Sequence, residues 1–444
     1  MSMLDDTKIA PPCSRPDRSG PRPACPIPAR LAHAGFLILA LWSVSPANAD
    51  QVLPALSLAQ FLGLVEQGNP ELAASRHQGR IAQAGLQVAG AYPNPVLEVD
   101  AGGWRPRAGS SSGSTLAYGI TQPLDLPSVR ASRIAAAAAG ADSAVAFAQS
   151  VRLAIGTEAR KSYFDLVRRK QDERLAGETL DLLEQIQGRV QTRVEVGEAP
   201  RFELVRAEAE TLAARNALAA ARLRVEEARA TLRRLLGGAF EAPFDIREDL
   251  PNLPELPPLA ELQSAVLSAH PALRAAEAER ERAQRQLEQE RALRTPQPSL
   301  RLGEARDPEV RSMTIGVALS IPIWDRRDGQ IAQARASIDL ATAQLDRQRA
   351  QLLRELEAAH ARFAIAQRQI ATFEAGLLRS AESASRVAEA AYRFGERSFI
   401  EVLDAQRTLR LVRSDYNQAR FERILAWLDI DRLRAHDPFR PENP

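Results

Sequence analysis

The sequence is poor in the residues that carry most protein chemistry. Its 444 residues include two cysteines, three methionines and five histidines. Cys13 and Cys25 both lie in a segment that reads as a removable leader, so the remaining chain offers neither a disulfide nor a thiolate. His77, His270, His360 and His436 are scattered, and Met313 is the only methionine beyond the leader. These ligand counts argue against a tight site for zinc, copper or silver, and no metal and no cofactor is assigned. There is no glycine-rich phosphate loop and no nucleophile motif, so the chain reads as a non-enzyme. Basic and acidic residues nearly balance, 58 against 56, which removes nucleic acid as the main partner. Beyond the leader, no uninterrupted apolar run reaches the ~18 residues of a spanning helix, so any membrane crossing would fall to strands.

The leader itself is "ARLAHAGFLILALWSVSPANAD". Arg30 precedes an apolar run from Ala34 to Val44, and Ala47-Asn48-Ala49 gives the small-x-small pattern of a cleavage site. Residues 1–49 are therefore expected to be a signal peptide, cleaved after Ala49, and the protein exported. Neither cysteine follows the apolar run, so no lipid anchor is expected.

The rest is rich in Ala, Leu, Glu, Arg and Gln, with apolar residues recurring at spacings of three and four, as in long packed helices. Prolines separate these runs, and their order repeats. "RVEVGEAPRFELVRAEAETL" at Arg193–Leu212 is a weaker copy of "AYRFGERSFIEVLDAQRTL" at Ala391–Leu409, with Gly197 matching Gly395 and Glu203 matching Glu401 at an offset of 198 residues. Asn69-Pro70 likewise matches His270-Pro271. The expected organisation is a first repeat over 50–236 (helix, β-hairpin 93–126, long helix, turn at 197, helix) and a proline-rich join over 237–258. A second repeat follows over 259–434 (helix, β-hairpin 297–323, long helix, turn at 395, helix), with a tail at 435–444. The run from Ser128 to Val194 alone would span about 100 Å at 1.5 Å per residue.

Four short segments alternate with period two. In the last, Met313, Ile315, Val317, Leu319 and Ile321 fall on one side and Thr314, Gly316, Ala318 and Ser320 on the other. Their lengths suit a bilayer, and Trp104 and Trp324 stand at strand ends, where membrane-interface aromatics belong. Four strands cannot close a barrel, since known ones need at least about 8, so other copies must satisfy the edges. A soluble coiled-coil scaffold or adaptor would explain the helices but not the hairpins.

The glycine turn with "VLDAQ", the "PIWDRRDGQIAQARA" after the last strand, and "NPEL", "PNP" and "QPLDLPSVRASR" together resemble the TolC family of outer-membrane efflux channels over about residues 55–435. The resemblance is greatest to its CzcC-like subgroup, which serves heavy-metal pumps of the RND type. It implies a mainly α protein with a small transmembrane β part: a homotrimer with a twelve-stranded barrel in outer-membrane lipid, a periplasmic helical tunnel and an equatorial belt. The implied partners are a periplasmic adaptor (membrane fusion protein) and an inner-membrane RND pump. Gly197 and Gly395 would then mark the tunnel tip. Tyr392, Arg397 and Glu203 map onto the family's gate lock, and Glu401 and Asp404 onto its constriction. Position 202 carries Phe where the better-known member has a hydroxyl. From the residues themselves, Glu401 and Asp404 are i,i+3 and share a helix face, so three copies would gather six carboxylates. Arg397 is expected to pair with an acid such as Glu203 on a neighbouring helix pair.

Overall fold

A computed structural model describes residues 55–105, 107, 112–238, 244–247, 250–251 and 253–440. The expected leader, 1–49, lies outside the described residues. The first helices show how local chemistry sets the boundaries. Ser57 and Gln60 cap each other, the Ser57 amide donating to Gln60 Oε1 at 2.9 Å and the Gln60 amide to the Ser57 hydroxyl at 3.3 Å. Helix α1 (Leu58–Gly68) then stops before Asn69-Pro70, because the residue ahead of a proline is pushed out of helical geometry. Helix α2 (Pro70–Gly90) restarts with Pro70 in its first turn and the Asn69 carboxamide accepting from the Glu71 and Leu72 amides. The single helix expected before the first hairpin is therefore two helices. The second repeat copies the break: α5 (Leu259–Ala269) and α6 (Pro271–Ala292) meet at His270, whose Nδ1 accepts from the Ala272 amide at 3.2 Å.

Strands β2 (Val96–Trp104), β3 (Gly113–Pro123), β5 (Gln297–Arg306) and β6 (Arg311–Ser320) form one antiparallel sheet in the order β2-β3-β5-β6. They are 9, 11, 10 and 10 residues long, within the ~9–11 that cross a bilayer. Each hairpin is shorter than its expected span, as the flanking prolines of 93–95 and 321–323 fall outside the ladder.

Two long helices leave the sheet, α3 (Pro127–Glu195) and α7 (Asp328–Thr372), and α4 (Arg201–Leu236), α8 (Leu378–Arg393) and α9 (Phe399–Leu433) complete the helical part. At 69 residues, α3 is about 100 Å long. The second long helix does not run unbroken to Phe394 as the sequence suggests; a π-helical turn, Phe373–Leu377, separates α7 from α8. Near the sheet the wall runs α2-α3-α6-α7, and near the turns α4-α3-α9-α8. One 18-residue window of α3 has a mean hydropathy of 1.3 and passes for a spanning helix by length and composition, contrary to expectation. Because α3 packs on α2, α6, α4 and α9 along its length, this alanine-rich stretch reads as a wall helix.

The waist holds the main core. Phe61, Tyr163, Phe164, Leu232 and Leu428 are buried together, each worth about 2–3 kcal/mol of transfer free energy. The join expected over 237–258 packs at this waist through its described residues. Its β4 (Asp245–Ile246) pairs in parallel with β1 (Ala55–Leu56), and the Tyr163 hydroxyl lies 3.0 and 2.9 Å from the Leu56 and Arg247 carbonyls. The described part of the tail also packs, with Pro438 and Phe439 over Gly156 of α3.

Candidate functional site

Two surfaces carry the sites expected from the sequence: the sheet and the helical turns. Directly opposed residues of an antiparallel sheet point to the same face. Met313, Ile315 and Val317 stand opposite Glu304, Leu302 and Leu300, which stand in turn opposite Tyr118, Ile120 and Gln122. With Leu97 and Val99 opposite Ile120 and Tyr118, this makes one face predominantly apolar across all four strands. It is also uncovered: Met313, Ile315 and Val317 are 70–80% exposed. The other face carries small and polar residues such as Glu98, Gly119, Gly303 and Thr314. A broad apolar face opposed by a polar one matches a barrel wall between lipid and lumen. On the apolar face near the hairpin ends, Glu304 is neutralised by Arg306 and Arg311 and accepts from the Tyr118 hydroxyl at 2.6 Å. Trp324, just past β6, is 95% exposed. Trp104 ends β2 opposite Gly113, and its side chain lies outside the described residues.

At the far end of the helices the two turns are built alike. Gly197 and Gly395 have φ of 81° and 76°, the left-handed region where glycine meets no steric penalty. In each turn the amides just past the helix return to its last carbonyls: Gly197 to Val194, Glu198 to Arg193, Gly395 to Tyr392, Glu396 to Ala391. The turns sit side by side. Leu183, Ile186 and Val190 of α3, Ala207 of α4, Tyr392 of α8 and Phe399 and Val402 of α9 share one buried cluster.

Tyr392 is the link between them. Its buried ring lies under the Arg193 guanidinium, 4.9 Å from the centroid, and its hydroxyl reaches Glu203 Oε2 at 3.4 Å. Burial first, and then the Glu203 carboxylate, push the phenol above its ordinary pKa, so it stays a donor. Among the described residues, Arg397 does not meet Glu203; from the turn just ahead of α9 it bonds Glu401 at 2.5 Å. Glu401 also accepts from the Ser398 amide and hydroxyl at 3.4 and 3.2 Å. The Arg397 contact holds its carboxyl below the ordinary range. Ser398-Phe-Ile-Glu401 is a capping box whose spacing was legible in the sequence, and it explains why Glu401 turns back toward the helix start. In the other repeat Pro200 occupies the cap position without a side-chain bond, leaving Glu203 free to meet Tyr392. The Arg193 stack has no such sequence signal, because it depends on α3 and α8 lying together.

Arg397, Glu401 and Asp404 line one groove of about 630 Å³ with Arg206, Val387 and Ala391. Asp404 has no cationic partner among the described residues, whereas Glu401 is half-neutralised by Arg397. No cluster of three or more His, Cys, Asp or Glu suited to a metal occurs among the described residues.

Comparison with known proteins agrees with this architecture. Residues 61–238 and 262–435 match the family model described as outer membrane efflux protein. The chain is 29% identical to the cobalt-zinc-cadmium resistance protein CzcC of Cupriavidus metallidurans, over 88% of this chain and 93% of that one. It is 27% identical to the nickel-cobalt-cadmium resistance protein NccC of Alcaligenes xylosoxydans xylosoxydans, over 70% of each. Among solved structures, CusC, described in connection with transmembrane channel formation, superimposes with a TM-score of 0.74 at 18% identity, covering 86% of this chain and 92% of its own. The chain belongs to the outer membrane efflux protein family.

Proposed function

We propose that three copies of this chain form the outer-membrane conduit of a tripartite RND-type efflux system that exports heavy-metal cations. The observation that carries the reading is the sheet: an uncovered apolar face with two unpaired edges, β2 and β6, standing on helices about 100 Å long. Lipid cannot satisfy open edges, and three four-stranded sheets joined edge to edge would close twelve strands. The helices would then form the periplasmic tunnel, with a periplasmic adaptor and an inner-membrane pump feeding it. Metal as cargo is supported by the names of the relatives CzcC and NccC, and by acids that are not arranged to retain a metal. In this reading, Gly197 and Gly395 mark the tip, Tyr392, Glu203 and Arg397 hold it, and Glu401 and Asp404 set a negative field that favours cations. Trp324, and by position Trp104, would mark the membrane interfaces.

The test is deletion of the gene in its host, followed by growth on zinc, cadmium or cobalt salts. Lost tolerance restored by the intact gene is the expected result. Unchanged metal tolerance together with new sensitivity to organic drugs would reject metal as the cargo and leave a drug-efflux conduit.

A further inference from the structure

The apolar face of the sheet ends in charge. Its rows across β5 and β6 run from Pro298 with Leu319 to Glu304 with Met313, and the last row is Arg306 with Arg311. Helices α6 and α7 adjoin these strands at Gln297 and Ser320, so the arginine row stands at the end remote from the helices, beside the turn at 307–310. Ten residues separate Arg311 from Ile321, which is exposed just past β6. At about 3.4 Å per residue and a tilt of about 40°, that is about 26 Å across the membrane, close to the ~25 Å of a barrel's apolar band. With Ile321 at the helix-side limit of the band, the arginines stand at its outer limit, the depth of lipid headgroups.

Like charges directly opposite on an antiparallel pair repel unless a counter-charge holds them. Glu304 does so here. Arg306 Nε donates to Glu304 Oε1 at 2.7 Å, Arg311 Nε donates to the same oxygen, and Glu304 Oε2 accepts from the Tyr118 hydroxyl. Both carboxylate oxygens are thus engaged, whereas the terminal nitrogens of both guanidiniums have no hydrogen-bond partner among the described residues. The arginine side chains are 50% and 69% exposed. A cross-strand ion pair needs only one arginine for one acid; this cluster has two, and keeps a net positive charge. Of the turn's other acids, Asp307 accepts from the Glu309 and Val310 amides, and Glu309 lies beyond the ladder. Arg105 and Arg107, both exposed, add positive charge at the same end of the sheet.

We propose that Arg306 and Arg311 hold a headgroup phosphate of an outer-leaflet lipid whose acyl chains lie down the apolar face along Met313, Ile315 and Val317. The proposal rests on the membrane reading of the sheet given above. Guanidinium forks match phosphate oxygens in bidentate fashion, and Glu304 holds two of them side by side. The continuity of this cluster with the uncovered apolar face selects a lipid over a free anion. Inorganic phosphate would gain the charged contacts but bury none of Met313, Ile315 or Val317, which are 70–80% exposed in the single chain.

The test takes the full chain purified in detergent, its assembly checked by light scattering, and titrates it with lipid A carrying both phosphates. Bound lipid is counted by native mass spectrometry, against a dephosphorylated lipid A with the same acyl chains. The expected result is about tenfold or tighter binding of the phosphorylated form, a preference lost when R306Q and R311Q are combined. R301Q should keep the preference, because Arg301 lies opposite Gly316 and Thr121 on the other face. R311Q alone repeats the measurement in case the double variant fails to assemble. Millimolar inorganic phosphate should leave the lipid in place; complete displacement would show a free-anion site and overturn the lipid assignment. An assembled protein that binds both lipids alike, or whose double variant keeps the preference, would overturn the site and leave the channel reading standing. A chain that stays soluble without detergent would overturn the membrane reading, and the site with it.

Discussion

His270 and Asn69 cap equivalent helices with different chemistry, and the difference is measurable. Asn69 also donates to the Leu235 carbonyl at 3.0 Å, whereas His270 Nε2 is buried with no partner among the described residues. Burial, and then Arg432, lower the His270 pKa to about 4. The unfolded residue titrates near 6.5, so between these values the unfolded chain binds more protons and stability falls as pH falls, levelling off below about 4. The whole effect amounts to at most about 3 kcal/mol per chain. Replacing His270 with Asn should keep the cap and flatten this acid slope, read as melting temperature against pH by circular dichroism. An unaltered slope would show that other groups cause it. At the turns, Arg397→Ser should release Glu401 and strengthen cation selectivity, while E401A with D404A should weaken it, both read as reversal potential in a salt gradient. If neither substitution moves the reversal potential, these carboxylates are merely a solvated helix face.

The same glycine signal has two meanings at the level of elements. Gly197 sits in open space at positive φ, so Gly197→Ala should cost only the left-handed conformation, about 1–2 kcal/mol. Gly237, the left-handed cap of α4, faces a crowded contact, where a Cβ would lie 2.3 Å from the Gly68 carbonyl oxygen and 2.6 Å from Pro70 Cδ. Gly237→Ala should therefore lower the melting temperature clearly more than Gly197→Ala, and equal effects would contradict the packing described. The turn glycines were legible because the duplication repeats their neighbours. The tight role of Gly237 was not, since its partners come from the break between α1 and α2. Long helices and alternating strands announce themselves through local periodicity, whereas the pairing of β1 with β4 joins two-residue segments with no periodicity to read. The π turn at Phe373–Leu377 is similarly silent, because Phe-Glu-Ala-Gly-Leu continues a helical pattern.

For the whole molecule, the sequence showed repeated halves, strand faces and helix lengths, all of which depend on spacing within one segment. Which side chains meet at the turns depends on packing between segments: within the chain, Arg397 bonds Glu401 and Tyr392 meets Glu203. If the uncovered sheet face is lipid-facing, the protein should leave membranes only with detergent and migrate as a heat-sensitive trimer, and a stable monomer in plain buffer would reject that assembly. The central claim is that the assembled chain is a passage for cations. Single-channel recording of the purified protein in planar bilayers tests it most directly: the account predicts discrete steps whose reversal potential in a potassium chloride gradient shifts toward the cation equilibrium value, and inserted protein that conducts nothing, or favours chloride, would contradict it.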